Sequence, residues 1–125
     1  MSDNAAVSLQ AESLKKIVIE ALEALKAQNI VTIDVRGRAS FTDVMIFASG
    51  TSSRHVNSIA ESVIEAARHA GIPPIGVEGE SAGEWILIDL GDVVVHVMQP
   101  DTRTFYDLEK LWGEEMLKQS LLDSE

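Results

Sequence analysis

Residues 85–98, Trp85-Ile-Leu-Ile-Asp-Leu-Gly-Asp-Val-Val-Val-His-Val-Met98, decide the fold, because two apolar runs flank Gly91-Asp92. A two-residue loop that begins with glycine favours a type II′ turn, so the two runs are predicted to form an antiparallel hairpin. Successive side chains of a strand point to opposite faces. One face of the hairpin then carries six aliphatic residues suited to the core: Ile86, Ile88, Leu90, Val93, Val95 and Val97.

The opposite side of the hairpin, called the mixed face below, has a different chemistry. It pairs Asp89 with Val94, Leu87 with His96, and Trp85 with Met98. A face buried in a sheet core would be aliphatic, whereas Trp, Met and His beside a carboxylate are typical of protein interfaces. We expect this face to bind a partner. The alternative is that a helix covers it and that Trp85 is simply packed.

Outward from the hairpin, the apolar spacing predicts an amphipathic helix and two strands near the N-terminus. The helix begins at Leu14 and stops at Asn29, because apolar residues recur there with the helical period. Strands follow over residues 30–35 and 44–48, and because they are close in sequence they are predicted to pair antiparallel.

Two further helices are predicted on either side of the hairpin. The first follows the cap residues Ser52-Ser53 and ends at Gly71, and it is long enough for a right-handed parallel crossover. The second is capped by Asp101 or Thr104 and ends at Gly113. The order helix, strand, strand, helix, strand, strand, helix predicts an α/β (α+β) fold in which helices flank a mixed sheet.

The domain organisation is predicted to be simple. At 125 residues the chain is expected to form one domain. We assign residues 13–113 to that domain, residues 1–12 to a flexible extension and residues 114–125 to an acidic tail.

Charge indicates the kind of partner. Twenty acidic residues against ten basic ones give a net charge of −10, and no Lys or Arg lies between Arg68 and Arg103. Such a surface is repelled by nucleic acid and by anionic lipid and is attracted to a basic protein. Neither sequence-specific nucleic acid nor a membrane is therefore expected as a partner. No run approaches the ~18 apolar residues of a membrane span, so the expected location is the cytoplasm.

The residues favour no catalytic or metal site. There are no cysteines and the three histidines are scattered, so neither a metal nor a cofactor is predicted. Ser52 lies near His55 but lacks the glycine-flanked elbow of a hydrolase, which favours a helix cap. A nucleotidyltransferase holds magnesium with two carboxylates on one strand, and the nearest pair, Glu78-Gly-Glu80, is predicted to be a loop. The alternatives kept open are a nucleotide-binding or nucleotidyltransferase-type enzyme and a structural homodimer.

Five segments carry a specific resemblance to a known family. They are Ala39-Ser-Phe-Thr-Asp43, residues 48–56, residues 76–80, the hairpin itself, and Phe105-Tyr-Asp-Leu-Glu-Lys-Leu-Trp112. In this order and spacing they resemble the Iojap family of ribosomal silencing factors over residues 14–113. The resemblance implies a fold related to nucleotidyltransferases but without their catalytic carboxylates, and a protein that is not an enzyme.

The resemblance also implies a function and a site. The expected function is binding of the large ribosomal subunit through the basic ribosomal protein L-fourteen, which blocks joining of the small subunit and represses translation when nutrients are scarce. The family's motif residues fall on Trp85, Asp89, His96, Tyr106 and Glu109. Together with the mixed face they give the expected partner-binding set: Trp85, Leu87, Asp89, Val94, His96, Met98, Tyr106 and Glu109.

Overall fold

A computed structural model describes the backbone of residues 2–112 and the side chains of residues 10–112. The elements in chain order are α1 (Ser2–Ala24), β1 (Gln28–Asp34), β2 (Val44–Ser49), α2 (Ser53–His69), β3 (Gly76–Glu78), β4 (Trp85–Asp89), β5 (Val93–Met98) and α3 (Pro100–Tyr106). Residues 108–112 are helical again. Within this described part of the chain, no helix is both long and apolar enough to cross a membrane.

The strands form one five-stranded sheet in the order β1-β2-β5-β4-β3. Strands β2 and β5 are parallel, and the other three pairs are antiparallel. The predicted α+β class, with helices on a mixed sheet, is confirmed. The central strands β2 and β5 are buried along their whole length, as expected for strands that are covered on both faces.

The hairpin has the predicted register. Trp85 lies opposite Met98 and Asp89 opposite Val94, and the Leu90 N–H donates to the Val93 carbonyl at 2.9 Å. Gly91 has φ +87, the positive value that the first loop residue of a type II′ turn requires. The six aliphatic residues of the core face are each at most 4% exposed.

Helices α1 and α2 cover this aliphatic face and complete the main core. The buried residues of α2 recur with the helical period: Val56, Ile59, Ala60, Val63, Ile64 and Ala67. Both predicted ends of α2 are confirmed. The Ser52 side chain accepts a hydrogen bond from the His55 N–H, and Gly71, at φ +82, closes the C-terminus with its N–H on the Arg68 carbonyl.

Strand β3 was not predicted, and it changes the topology. It has only three residues and contains glycine, so it gives no alternating pattern. Because β3 pairs antiparallel with β4, the chain reverses once more than expected after α2. The predicted parallel crossover therefore leads from β2 to β3, and β4 runs antiparallel to β2. Glu78, assigned to a loop, is the last residue of β3.

The N-terminal helix differs from the prediction at both ends. It begins at Ser2, inside the segment 1–12 that was set apart as an extension, and Ala11 is buried in the main core. It ends at Ala24, because Lys26 adopts the left-handed conformation with φ 60. Asn29, expected to stop the helix, instead lies in an irregularity of β1 at φ 50. The domain boundary at residue 13 stays a prediction.

The last helix begins earlier than predicted. Pro100 is its first residue and Gln99 is its N-cap, so neither Asp101 nor Thr104 caps it. Asp107 has φ 48 and separates α3 from the helical residues 108–112. The predicted end at Gly113 and the acidic tail over residues 114–125 lie outside the described residues.

The aliphatic face of the hairpin should dominate stability. Val95 is fully buried, so Val95→Ala removes apolar contacts and leaves a cavity that should lower the free energy of unfolding by about 2 kcal/mol. Chemical denaturation of the variant measures this loss. Thr32→Ala, at an exposed position of β1, is the control and should change stability by less than about 0.5 kcal/mol. Equal losses for both variants would contradict the assigned core.

Candidate partner-binding face

A second, smaller core covers part of the mixed face. Its buried members are Val35, Met45, Phe47 and Met98. The partly buried side chains around them come from β1, the β1–β2 connection, the hairpin and the helical residues 108–112: Val31, Ile33, Ala39, Trp85, Leu108 and Trp112. The sheet is therefore packed on both faces at its centre, and the mixed face is accessible only along β4.

Three members of the expected contact set are buried by this packing. Val94, His96 and Met98 are 4%, 4% and 1% exposed, so they offer no surface to a partner in this structure. The physical reason is that β5 is a central strand, whose two faces are both covered. The cover over this side is built from β1, β2 and the connection between them, together with the helical residues Leu108 and Trp112.

His96 joins the buried half of the mixed face to the accessible half. Its ring stacks on Phe47 with the centroids 4.8 Å apart, and the Trp85 Nε1–H donates to its Nδ1 at 3.0 Å. Because Nδ1 accepts, a neutral imidazole carries its proton on Nε2, and that buried atom has no hydrogen-bond partner in the described structure. Burial lowers the pKa of His96 to about 4, so the ring is neutral at pH 7 and fixes the indole of Trp85.

An aromatic patch formed by Trp85, Phe105 and Tyr106 lies next to this pair. The Tyr106 ring is 4.9 Å from the Trp85 ring and 5.1 Å from the Phe105 ring, measured between centroids. Tyr106 is 53% exposed and Phe105 is 80% exposed, whereas Trp85 is partly buried. Contiguous exposed aromatic side chains are typical of binding surfaces.

Phe105 is the member of this patch that sequence reasoning missed. The sequence predicts one continuous helix up to Gly113, with Phe105 inside it. The left-handed Asp107 ends α3 before that point, and Phe105 stays in solvent. Pro100 was the available sequence signal, because proline favours the first turn of a helix. With its start at Pro100, α3 has less than two turns before it ends at Asp107.

Glu109, expected to contact a partner, is partly exposed and forms an ion pair within the chain. Its carboxylate accepts two hydrogen bonds from Arg103, at 2.5 Å and 3.0 Å, and Arg103 also donates to the buried Ser49 hydroxyl. A bidentate pair of this kind is strong and directional. It fixes residues 108–112 against the end of β2 and thereby sets the position of α3 and of Tyr106.

Leu87 and Asp89 are the remaining accessible members of the mixed face, and both are partly exposed. Asp89 Oδ1 accepts a hydrogen bond from the Gly91 N–H at 2.9 Å, so the side chain also stabilises the hairpin turn. With the aromatic patch, these residues form an accessible strip of apolar and acidic groups beside the buried His96.

The residues weighed for enzyme chemistry have the following places in the structure. The His55 ring is directed to Thr51 and to the Leu25 carbonyl, and Ser52 caps α2, so the two residues form no nucleophile–base pair. Glu78 ends β3, and Glu80 lies in the turn that follows. Among residues 10–112, whose side chains the structure describes, no group of three or more metal-binding side chains comes together.

The fold defines a small α+β protein, and one side of it carries a strip of accessible aromatic and acidic groups. A family model for the ribosomal silencing factor during starvation matches residues 8–125. The chain therefore belongs to this family of ribosomal silencing factors, a regulatory and ribosome-associated family. The match extends beyond residues 14–113, over which the resemblance was expected.

Individual relatives agree with the family assignment. The chain is 46% identical over 101 residues to a ribosomal silencing factor from Haemophilus influenzae, covering 81% of this chain and 99% of the relative. A crystal structure of a Chromobacterium violaceum protein superposes with a TM-score of 0.80 at 45% identity, covering 82% of this chain and 85% of that one. A mouse protein named mitochondrial assembly of ribosomal large subunit protein 1 is 33% identical over 99 residues, covering 77% of this chain and 43% of that one.

Burial of His96 predicts a pH-dependent stability. The unfolded chain binds a proton near pH 6.5, its ordinary histidine pKa, but the folded chain binds it only near pH 4. Stability from this group is therefore complete above pH 6.5 and is lost as the pH falls towards 4, with a maximum loss of about 3 kcal/mol. Urea unfolding from pH 4.5 to 7.5 measures the slope.

His96→Gln keeps an acceptor for Trp85 but does not titrate, so its stability should fall less steeply with acid than that of the wild type. The matched control is His69→Gln at an exposed site, which should retain the wild-type slope. An unchanged slope in His96→Gln would show that His96 does not carry the effect.

Proposed function

We propose that this chain binds the large ribosomal subunit through the basic ribosomal protein L-fourteen and thereby blocks joining of the small subunit. In this proposal the contact surface is the aromatic patch together with Leu87 and Asp89. The observation that carries it is the exposure of Phe105 and Tyr106 beside the half-buried Trp85, in a chain that belongs to the ribosomal silencing family.

The geometry of the patch supports a protein partner. The patch is supported by two side-chain interactions. Trp85 donates a hydrogen bond to His96, and the Arg103–Glu109 ion pair fixes α3. Rigid aromatic side chains lose little conformational entropy on binding, which favours affinity. The mouse relative is named for the large ribosomal subunit, in agreement with that subunit as the target.

Charge supports a basic partner in place of ribosomal RNA. Six carboxylates and no Lys or Arg lie between Arg68 and Arg103, the segment that contains β3, β4 and β5. Opposite charge raises the rate of association with a basic protein, and like charge opposes contact with phosphate.

The proposed mechanism is steric and needs no chemical step. A domain of 13.6 kDa seated on a surface where two subunits meet prevents those surfaces from closing. Repression of translation under nutrient scarcity would follow from occupancy alone. The cytoplasm is the proposed location, because that is where subunits assemble into ribosomes.

Sedimentation with separated ribosomal subunits tests the proposal. The chain should travel with free large subunits and should be absent from small subunits and from assembled ribosomes. Added before small subunits, it should lower the yield of assembled ribosomes on raising magnesium. Binding to small subunits, or binding to large subunits without any effect on joining, would contradict the corresponding part of the proposal.

Tyr106→Ala is the sharpest single variant for the contact surface. Tyr106 is exposed, so its loss should leave the melting temperature unchanged while weakening subunit binding by about 2 kcal/mol, which is about thirty-fold. Trp85 is less informative because it also packs on the second core. Lys16→Ala, at an exposed site of α1, should bind as the wild type does. Equal binding by both variants would exclude the patch.

Asp89→Asn tests electrostatic steering without disturbing the hairpin. The amide keeps an oxygen for the Gly91 N–H but removes the charge, so association should slow while the fold is preserved. The association rate of the wild type should fall as the salt concentration is raised, because salt screens exposed charges beyond ~8 Å at physiological ionic strength. The association rate of the variant should fall less. The matched control is Glu65→Gln on α2. A rate that rises with salt would contradict attraction to a basic surface.

A homodimer through the same patch is the second candidate, favoured by the exposed Phe105 at 80%. Analytical ultracentrifugation of the isolated chain separates the two. A dimer that Tyr106→Ala dissociates would assign the patch to self-association.

A further inference from the structure

The outer edge of the sheet at β3 carries an inference that goes beyond the proposed function. It concerns backbone groups at the margin of the sheet, on the side of β3 that faces away from β4. Strand β3 is last in the order β1-β2-β5-β4-β3, so no further strand of residues 2–112 pairs with it. An unpaired edge is a template for another extended chain.

The hydrogen-bond pattern of β4 shows which backbone groups of β3 point to the outer edge of the sheet. The Leu90 N–H bonds to Val93 on β5, and the Asp89 carbonyl accepts from the Ile75 N–H on the β3 side. Backbone groups of alternate residues point to opposite edges of a strand, so Ile88 faces β5. Val77 lies opposite Ile88 and therefore directs its own N–H and carbonyl to the outer edge.

The side chains around Val77 indicate the chemistry of a segment that could pair with this edge. Glu78 and Glu80 are exposed beside the edge, and Glu84 is exposed at the approach to β4. Ile75, immediately before β3, is 73% exposed and offers an apolar contact. Two copies of this edge would bring like charges together, which disfavours self-pairing, whereas a chain that bears Lys or Arg would find opposite charges.

We propose that the outer edge of β3 binds an extended, basic polypeptide segment as a sixth strand of the sheet. Val77 supplies the backbone hydrogen bonds, Ile75 an apolar contact, and Glu78 with Glu80 the charges that select Lys or Arg. This is strand addition, in which the main chain gives affinity and the side chains give specificity.

The test uses the full chain, isotope-labelled for NMR, and a short synthetic peptide of alternating lysine and valine. Addition of this peptide should slow hydrogen exchange of the Val77 amide and shift the resonances of residues 75–78. A peptide of alternating glutamate and valine is the control and should do neither. Failure of the lysine peptide to protect the Val77 amide, or equal protection by the glutamate peptide, would overturn the proposal.

Val77→Pro and Val77→Ala form the matched pair of variants. Both lose the valine side chain, but only proline lacks the outward N–H, and proline is tolerated on edge strands. Val77→Pro should bind the lysine peptide about five-fold more weakly than Val77→Ala. Equal affinities would overturn the assigned strand pairing.

A second pair of variants keeps the proposal testable if the proline variant does not fold. Glu78→Gln with Glu80→Gln should weaken peptide binding, whereas Glu61→Gln with Glu65→Gln, the same change of charge on the exposed side of α2, should not. Equal weakening by both double variants would show that peptide binding depends only on the net charge of the protein, and it would overturn the site. The peptide test needs no ribosome, so its outcome is independent of the proposed function.

Discussion

Strand β5 is the element on which the rest of the structure depends. It pairs with β2 on one side and with β4 on the other, and all six of its residues are buried. A strand buried on both faces requires a cover on each. Helices α1 and α2 cover one face, and the second core, with Trp112 and Leu108, covers the other. The positions of the helices follow from this requirement.

The second cover is incomplete, and the candidate site lies at its margin. His96 is on the covered side and Trp85 is on the accessible side, and the hydrogen bond between their rings joins the two. Placing a histidine in the covered region disfavours its charged form, so the ring serves as a neutral acceptor that orients the indole. The aromatic patch is therefore supported by the same packing that closes the core.

The basic residues are distributed unevenly along the chain. The segment without Lys or Arg contains β3, β4 and β5, whereas α1 carries Lys15 and Lys16 beside the acidic residues Glu12, Glu20 and Glu23. The aromatic patch and the open edge of β3 both adjoin β4. A basic partner would thus meet its complementary charge at the one strand whose mixed face is not covered.

The sequence by itself determined the hairpin and the extent of helix α2. The alternation of residues 85–98 with Gly91-Asp92 fixed the register, because a two-residue turn leaves one pairing that collects the aliphatic side chains on a single face. The helical spacing of apolar residues in α2 and its cap residues are likewise properties of neighbouring residues in the sequence. The motifs of the hairpin and of residues 105–112 also sufficed to indicate the family.

Only the tertiary structure decided which mixed-face residues are accessible. Val94, His96 and Met98 lie on the same side as Trp85, but their exposure depends on β5 being central, and that follows from its parallel pairing with β2 across a long separation in sequence. The short β3 and the left-handed Asp107 likewise carry no periodic signal, yet one forms the sheet edge and the other leaves Phe105 in solvent. Local patterns determine which faces of an element are apolar, whereas packing between distant elements decides which of those faces stay exposed.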